Sequence, residues 1–324
     1  MNPLFIRSVF LIIFSLCVFP IDYCAATEPS DKPTLEELED LRSIHGKVKG
    51  QIVFQRRMGS LWSIWKINAD GTGLKMLSNG KSDDQSPTWS QDGKKIYFIS
   101  KRSGHWQIYS MNEKGKNVEN LSRTDKKEYL CNLNADNTKM LFQTEEDGPA
   151  KAFIRDLPTR KVFEINFSEF PGQGGKIFPM LSPDGKKIAF LFKSGRGAGR
   201  AVYVGDLDES YRIRNVIKIH LGCFSAWSKD SSRFLMCMFV KGGTALHVVT
   251  ADGKEKTAIS EGGRWNYFPA WSPDEEWIVW SASPTDYHDY DSGRYDIYIA
   301  SLKDRKPIRL TFNAASDISP SWRP

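Results

Sequence analysis

Cysteine is scarce, at five residues in 324, and Cys17 and Cys24 both fall within the first 24 positions. Such a content excludes a small disulfide scaffold. Cys131, Cys223 and Cys237 remain, an odd number. If Ser228 and Ser232 pair across their turn, Cys223 falls opposite Cys237 near the spacing of a disulfide, with two free thiols as the alternative. The five histidines, His45, His105, His220, His247 and His288, are scattered. No His-Glu-x-x-His and no Gly-x-Ser-x-Gly occurs, so neither a zinc-protease helix nor a hydrolase nucleophile elbow is present. Gly195–Gly199 is glycine-rich but neither follows a parallel strand nor opens a helix, which makes it a surface loop rather than a phosphate cradle. No cofactor is expected. The net charge of +6 comes from interspersed residues, without the basic stripe of a nucleic-acid binder. Helical periodicity is confined to one short segment, and no apolar run beyond Phe19 is long enough to span a bilayer.

The N-terminus has its own layout. Arg7 precedes the apolar run Val9–Phe19, and Cys24-Ala25-Ala26 leads into a polar stretch. This is the pattern of a secretory signal peptide, with the cut expected after Ala26. An uncleaved anchor is the rival reading, but its apolar core is short. Export to a periplasmic or extracellular location follows, with no membrane span after cleavage. Residues 27–49 form a linker with one short helix, since Thr34-x-x-Glu37 is a capping box ahead of Leu35, Leu38, Leu41 and Ile44. That helix either lies on the rim of the domain or detaches to bind a partner.

The rest of the chain is repetitive. Ser86–Ser100 (SPTWSQDGKKIYFIS) reads as a short strand, an Asp-Gly turn and an alternating strand, the strongest short-range hairpin signal. It recurs at Phe178–Phe192 and Phe268–Ser281, and more weakly at Leu130–Phe142 and Ser225–Phe239. A half-copy, Ser319–Pro324, closes the chain. The column Trp89, Leu133, Leu181, Trp227, Trp271 and Trp322 has intervals of 44, 48, 46, 44 and 51 residues. An all-strand period in the forties is one propeller blade. We expect an all-β, six-bladed β-propeller of four-stranded blades over residues 50–324. Ser319–Trp322 would supply the missing inner strand of blade 1 and close the ring. Registers in blades 3 and 4 are the least defined, because the first strand of blade 3 lacks both the proline and the tryptophan and the outer strand of blade 4, within Tyr211–His220, is overlong.

Pro-x-Trp-Ser-Pro-Asp, a third strand such as Asp296-Ile297-Tyr298-Ile299 and an outer Arg309-Leu310-Thr311 resemble the WD-like repeats of TolB-type β-propellers. The resemblance covers residues 50–324. It implies a periplasmic module that binds proteins of the cell envelope, although related propellers also cap prolyl-oligopeptidase-type hydrolases. The chain lacks the N-terminal α/β domain of TolB and has about 20 residues in its place.

The repeat residues themselves have structural work. Trp89, Trp227, Trp271 and Trp322 should pack between blades, and Asp92, Asp184 and Asp274 should hold turns. The Asp-Gly connections on one side of the ring are short, whereas those on the other side are long and irregular, which marks the binding side. Arg57, Arg102, His105, Tyr129, Trp265 and Tyr267 fall there, with Arg196 in the glycine-rich loop, and arginine and aromatic residues are the usual interface anchors. The insertion Ser283–Gly293 adds Asp286, His288, Asp289 and Asp291. Its Asp-x-Asp-x-Gly resembles the start of a calcium loop, but the distal glutamate is missing and no metal is expected. The expected partner is an envelope protein bound by a monomer. A saccharide bound by the tyrosines, in a lectin-like or lyase role, is the alternative.

Overall fold

The computed structural model describes residues 31–145, 151–168, 170, 176–193, 200–283 and 294–323. Helix α1 (Leu35–Ile44) begins at the expected capping box, with Glu37 N–H donating to Thr34 Oγ1 at 3.2 Å and Thr34 N–H to Glu37 Oε2 at 2.8 Å. Among the described residues twenty-four strands follow in six antiparallel sheets of four. Blade 1 contributes β1 (Gln51–Met58), β2 (Leu61–Asn68) and β3 (Lys75–Met76). Blade 2 holds β4 (Asp84–Trp89), β5 (Lys95–Ser100), β6 (Gln107–Asn112) and β7 (Glu119–Asn120). Blade 3 holds β8 (Lys127–Leu133), β9 (Lys139–Glu145), β10 (Lys151–Asp156) and β11 (Val162–Glu164). Blade 4 holds β12 (Lys176–Leu181), β13 (Lys187–Lys193), β14 (Arg200–Leu207) and β15 (Ile213–Leu221). Blade 5 holds β16 (Cys223–Trp227), β17 (Arg233–Val240), β18 (Gly243–Thr250) and β19 (Lys256–Ala258). Blade 6 holds β20 (Trp265–Trp271), β21 (Trp277–Ser283), β22 (Asp296–Ser301) and β23 (Ile308–Arg309).

The last strand, β24 (Asp317–Trp322), pairs antiparallel with β1, with Ile52 opposite Trp322 and Arg56 opposite Asp317. Blade 1 is therefore built from both chain ends, and the ring closes as the half-copy requires. The closure is tight at Gly50, whose φ is +104°. A Cβ there would lie 2.5 Å from Trp322 Nε1, so only glycine satisfies both backbone and space.

Each first strand carries the same irregularity. The register slips by one residue against the second strand in all six blades. Ser86, Phe178, Phe268 and Ser319, each directly before a proline, have φ between 51° and 57° within four of these bulges. Proline disfavours the right-handed helical region for its predecessor, and a left-handed non-glycine residue costs about 1 to 2 kcal/mol. The bulge re-aims the strand near the axis.

The tryptophan column packs between blades as expected. Trp89, Trp227, Trp271 and Trp322 are buried. Trp227 Nε1 donates to Met180 O at 3.2 Å and Trp271 Nε1 to Ala226 O at 3.3 Å, each reaching the first strand of the preceding blade. The turn aspartates also do what their spacing predicts. Ser90 Oγ donates to Asp92 Oδ1 at 2.6 Å and accepts from Lys95 N–H at 2.9 Å. The same pattern recurs at Ser182–Asp184, Ser228–Asp230 and Ser272–Asp274. The residue after each aspartate has positive φ, whether Gly93, Gly185, Asn137, Ser231 or Glu275. Where it is not glycine, its side chain reaches the preceding blade. Gln91 N–H donates to Asn137 Oδ1 at 2.7 Å, Asp184 N–H to Ser231 Oγ at 3.1 Å and Lys229 N–H to Glu275 Oε1 at 2.5 Å. The strained conformation is thus offset by a tie between blades.

Candidate binding face

Strand order places the second-to-third and inter-blade connections on one face, here called upper, and the Asp-Gly turns on the lower face. The upper face of blades 1, 2 and 3 starts from a row of buried ion pairs. Five residues before the tryptophan column stand Asp317, Asp84 and Glu128, all buried. Each has an arginine. Arg56 binds Asp317 through Nε and Nη2 at 2.6 and 2.7 Å. Arg102 Nη2 donates to Asp84 Oδ1 at 2.9 Å, and Arg155 Nη2 donates to both Glu128 oxygens at 2.9 Å. In blade 6, Asn266 stands in this column and bonds Thr244 of blade 5 instead. A fourth pair, Arg309 Nη2 with Asp296 Oδ2 at 2.8 Å, lies behind Asp317.

Burial pushes the Asp296 carboxyl up to about 7, against the opposing pull of Arg309, and neighbouring Asp317 adds to the rise. Asp317 is also raised by burial, although Arg56 acts to lower it. Asp296 is 1 % exposed and Asp317 fully enclosed. Neither can touch a substrate. Each carboxylate pairs with an arginine of its own blade, Asp317 with Arg56 in blade 1 and Asp296 with Arg309 in blade 6, and the pairs have structural work rather than acid or base work. The sequence reading missed this column, although its signal, an acid five residues before each repeat tryptophan, is present in blades 1 and 2.

The predicted anchors divide. Trp265 and Tyr267 are 9 % and 2 % exposed and pack with Trp62, Tyr295 and Ile318 between blades 6 and 1. Arg57 is half-buried beside them, its Nε donating to Gly59 O at 2.9 Å and its guanidinium 5.6 Å from the Trp62 ring. Arg102 pairs with Asp84 and lies near the rings of Phe98 and Tyr109, at 5.1 and 4.9 Å. Its charge is engaged inside blade 2. His105 is half-buried, with Nε2 3.2 Å from Thr124 O. Tyr129 packs, half-buried, on the core between blades 2 and 3. Only Arg57, Trp265 and Tyr267 come together. Arg196, Asp286, His288 and Asp289 lie outside the described residues.

What the upper face exposes is different. Leu221, Phe239 and Val240 are 47 %, 46 % and 39 % exposed at the upper rim where blades 4 and 5 meet. Leu221 and Phe239 each lie two residues beyond the Cys223–Cys237 pair, and Val240 sits at the β17–β18 hairpin tip. Lys241 and Arg264 border them, exposed. The signal was there: Phe234–Val240 stays apolar up to its hairpin tip, where polar residues normally stand.

Beneath this patch Cys223 and Cys237 are register partners, as the turn pairing requires, yet both are free thiols. In blade 1 the equivalent partners are Ile318 and Gln55, and Arg57 N–H donates to Ser316 O two residues along, which makes that pair a hydrogen-bonded one. Such pairs hold Cα atoms about 5.5 Å apart, and their side chains lie further from one another than a disulfide allows. Burial raises the Cys223 thiol to about 11 and that of Cys237 well above its usual value. Among the described residues no group of three His, Cys, Asp or Glu could hold a metal ion, and no helix is long and apolar enough to cross a membrane.

Residues 50–169 match the model of the TolB beta propeller domain family. Over 139 residues the chain is 27 % identical to an uncharacterised protein of Agrobacterium fabrum, covering 40 % of this chain and 47 % of that one. It is 23 % identical to dipeptidyl-peptidase 5 of Porphyromonas gingivalis over 276 residues, 81 % of this chain and 39 % of the peptidase. The chain thus spans less than half the length of these relatives. Among solved structures, TolB from Acinetobacter baumannii superposes with a TM-score of 0.68 at 20 % identity, over 85 % of this chain and 67 % of TolB. At that identity the likeness speaks for the fold.

Proposed function

Because this chain carries a TolB-like β-propeller, we propose that it is an exported binding module whose upper face docks a protein of the cell envelope. The observation that carries this reading is the exposed group Leu221, Phe239 and Val240, bordered by Lys241 and Arg264, on the face with the irregular connections. Exposed apolar side chains at a rigid rim are what an interface core requires, and basic neighbours supply the polar border. The signal peptide read from residues 1–26 delivers the module across the membrane, and a mature chain begins at Thr27. The lower face, where Asp92 and its equivalents are held by their own turns, is scaffold.

The test is paired. Photo-crosslinkers at positions 239 and 94, one per face, are introduced into the full chain in envelope extract, and crosslinked partners are identified by mass spectrometry. A discrete partner at 239 and none at 94 is expected. Leu221→Asp with Phe239→Asp should abolish that crosslink while leaving the melting temperature unchanged. Crosslinking confined to position 94 would overturn the assignment. N-terminal sequencing of the exported protein checks the cut after Ala26.

A further inference from the structure

The N-terminal segment lies along the outer edge of blade 6, held by ion pairs along its length and by Ile44 in the core at its C-terminal end. Asp31 pairs with Arg294 at 2.6 Å near the upper end of blade 6. Glu37 reaches Arg309 at 3.4 Å, and Asp40 pairs with Lys306 at 2.5 Å. At the far end His45 Nδ1 is 3.4 Å from Asp70 in the third-to-fourth turn of blade 1. The segment is acidic where its seat is basic, and it crosses the groove between the two blades that close the ring. Its apolar contact is small. In α1 only Ile44 is buried, Leu41 is half-buried against the same core cluster, and Leu35 is exposed.

Two further facts bear on what the seat can do. The Arg309 side chain is 2 % exposed and bridges Asp296 of the propeller and Glu37 of the helix. Lys306, whose ammonium is stabilised above its ordinary range by Asp40, is an exposed point charge on the rim. Exposed ion pairs contribute little each and weaken with salt. A ten-residue helix is marginal on its own and depends on what it packs against. Gly46, at φ +70°, directly follows the C-cap and has open space around its Cα. Val48 and the carbonyl of Lys49, which accepts from Trp322 Nε1 at 3.2 Å, remain fixed in the closure. Val48 N–H donates to Ile44 O at 3.1 Å, so swinging the helix about Gly46 costs that bond and the core contact of Ile44, while the pairing of β1 with β24 is made by other residues.

We propose that residues 31–45 are a displaceable strap, and that the basic seat beneath it on blade 6 docks an acidic amphipathic helix of a partner protein. The strap defines the ligand chemistry, since carboxylates spaced to meet Arg294, Arg309 and Lys306 flank an apolar stripe that meets Ile308 and Leu310. This rim site is separate from the upper face, and its fate does not depend on that reading.

Hydrogen exchange of the full chain tests the strap, and a labelled peptide of residues 31–48 tests the seat. Asp40→Lys should speed exchange of the α1 amides by about fivefold, the scale of one exposed ion pair, with protection of β1 and β24 unchanged. Adding Lys306→Asp to Asp40→Lys should restore protection. The peptide should bind the Asp40→Lys chain at low salt, lose binding at high salt, and not bind the charge-swapped chain, whose own strap is back in place. Two results would overturn the proposal. One is α1 exchange that occurs only together with β1 and β24. The other is peptide binding that is absent from the Asp40→Lys chain or indifferent to salt.

Discussion

The contact between blades 6 and 1 and the contact between blades 3 and 4 solve one problem with different residues. At the closure, Trp322 packs under Gly50, the Arg56–Asp317 and Arg309–Asp296 pairs lie buried above it, and α1 covers the outside. Between blades 3 and 4 the repeat tryptophan is replaced by Leu181. There Asn132 does the joining, since its Nδ2 donates to Leu181 O at 2.6 Å and its Oδ1 accepts from Leu181 N–H at 2.9 Å. A side-chain amide thus ties the first strand of blade 4 to that of blade 3, where blades 5 and 6 use an indole N–H. The missing aromatic volume comes from the connection between the blades. Phe167 and Phe170 meet Phe190 edge-on at 5.3 and 5.2 Å, and Phe170 also contacts Phe192 and Tyr203. A blade contact needs filled volume and satisfied backbone groups, and the identity of the residue supplying each is free.

The outer edges differ too. Five blades end in strands of two or three residues, which blunts an exposed edge. Blade 4 ends in the nine-residue β15. Two register shifts and the positive φ of Asn215 coil that strand, and Asn166 bridges its start at Arg212. Bulges here do what shortness does elsewhere.

Removing residues 319–324 should have the largest effect, because it strips β24 from β1 and uncovers the core beneath Trp322. The truncated chain should be insoluble or lack a cooperative melt, and a near-normal melt would refute closure by this strand. Asp317→Ala comes next. It leaves Arg56 buried and unpaired and should cost about 3 to 5 kcal/mol by denaturant titration. On the other side of the ring, Asn132→Ala leaves Leu181 N–H and C=O without their partner and should cost about 1 to 3 kcal/mol. A loss much smaller than this would show that the phenylalanine cluster alone holds that contact.

The pH dependence sharpens the comparison, since the raised carboxyls all lie at the closure. Asp296 and Asp317 have folded-state pKa values above their ordinary one. The contribution of Asp296 to stability is complete below the ordinary value and is lost as pH rises through about 7, and Asp317 acts in the same direction. Asp230, held down to about 2 by Ser228 and Ser232, acts the other way, stabilising above its ordinary value and losing effect as pH falls toward 2. Melting temperature should therefore peak at about pH 4 and decline toward about pH 7, and Asp296→Asn should flatten that decline. The smallest effect is on sulfur. Denatured, unreduced protein should titrate free thiol at both Cys223 and Cys237, and their absence would mean that the hydrogen-bonded pair tolerates a bridge.

Sequence by itself determined the architecture. A repeated Pro-x-Trp, an Asp-led turn and period-two strands are local signals, each fixed by the chemistry of a few neighbouring residues, and six copies with a terminal half-copy leave closure by overlap as the consistent solution. The capping box at Thr34 and Glu37 was legible for the same reason. Which residues face solvent was decided only by tertiary structure. Trp265 and Tyr267 stand on the irregular side, yet they are enclosed because blade 1 folds back against blade 6 from the far end of the chain. Arg102 is engaged because Asp84 lies beside it across a strand pair, while Phe239 and Val240 are exposed because, among the described residues, none packs over their hairpin tip. Burial is set by contacts between residues distant in sequence, and a repeat that records its own turn and strands carries no record of what the next blade presses against it.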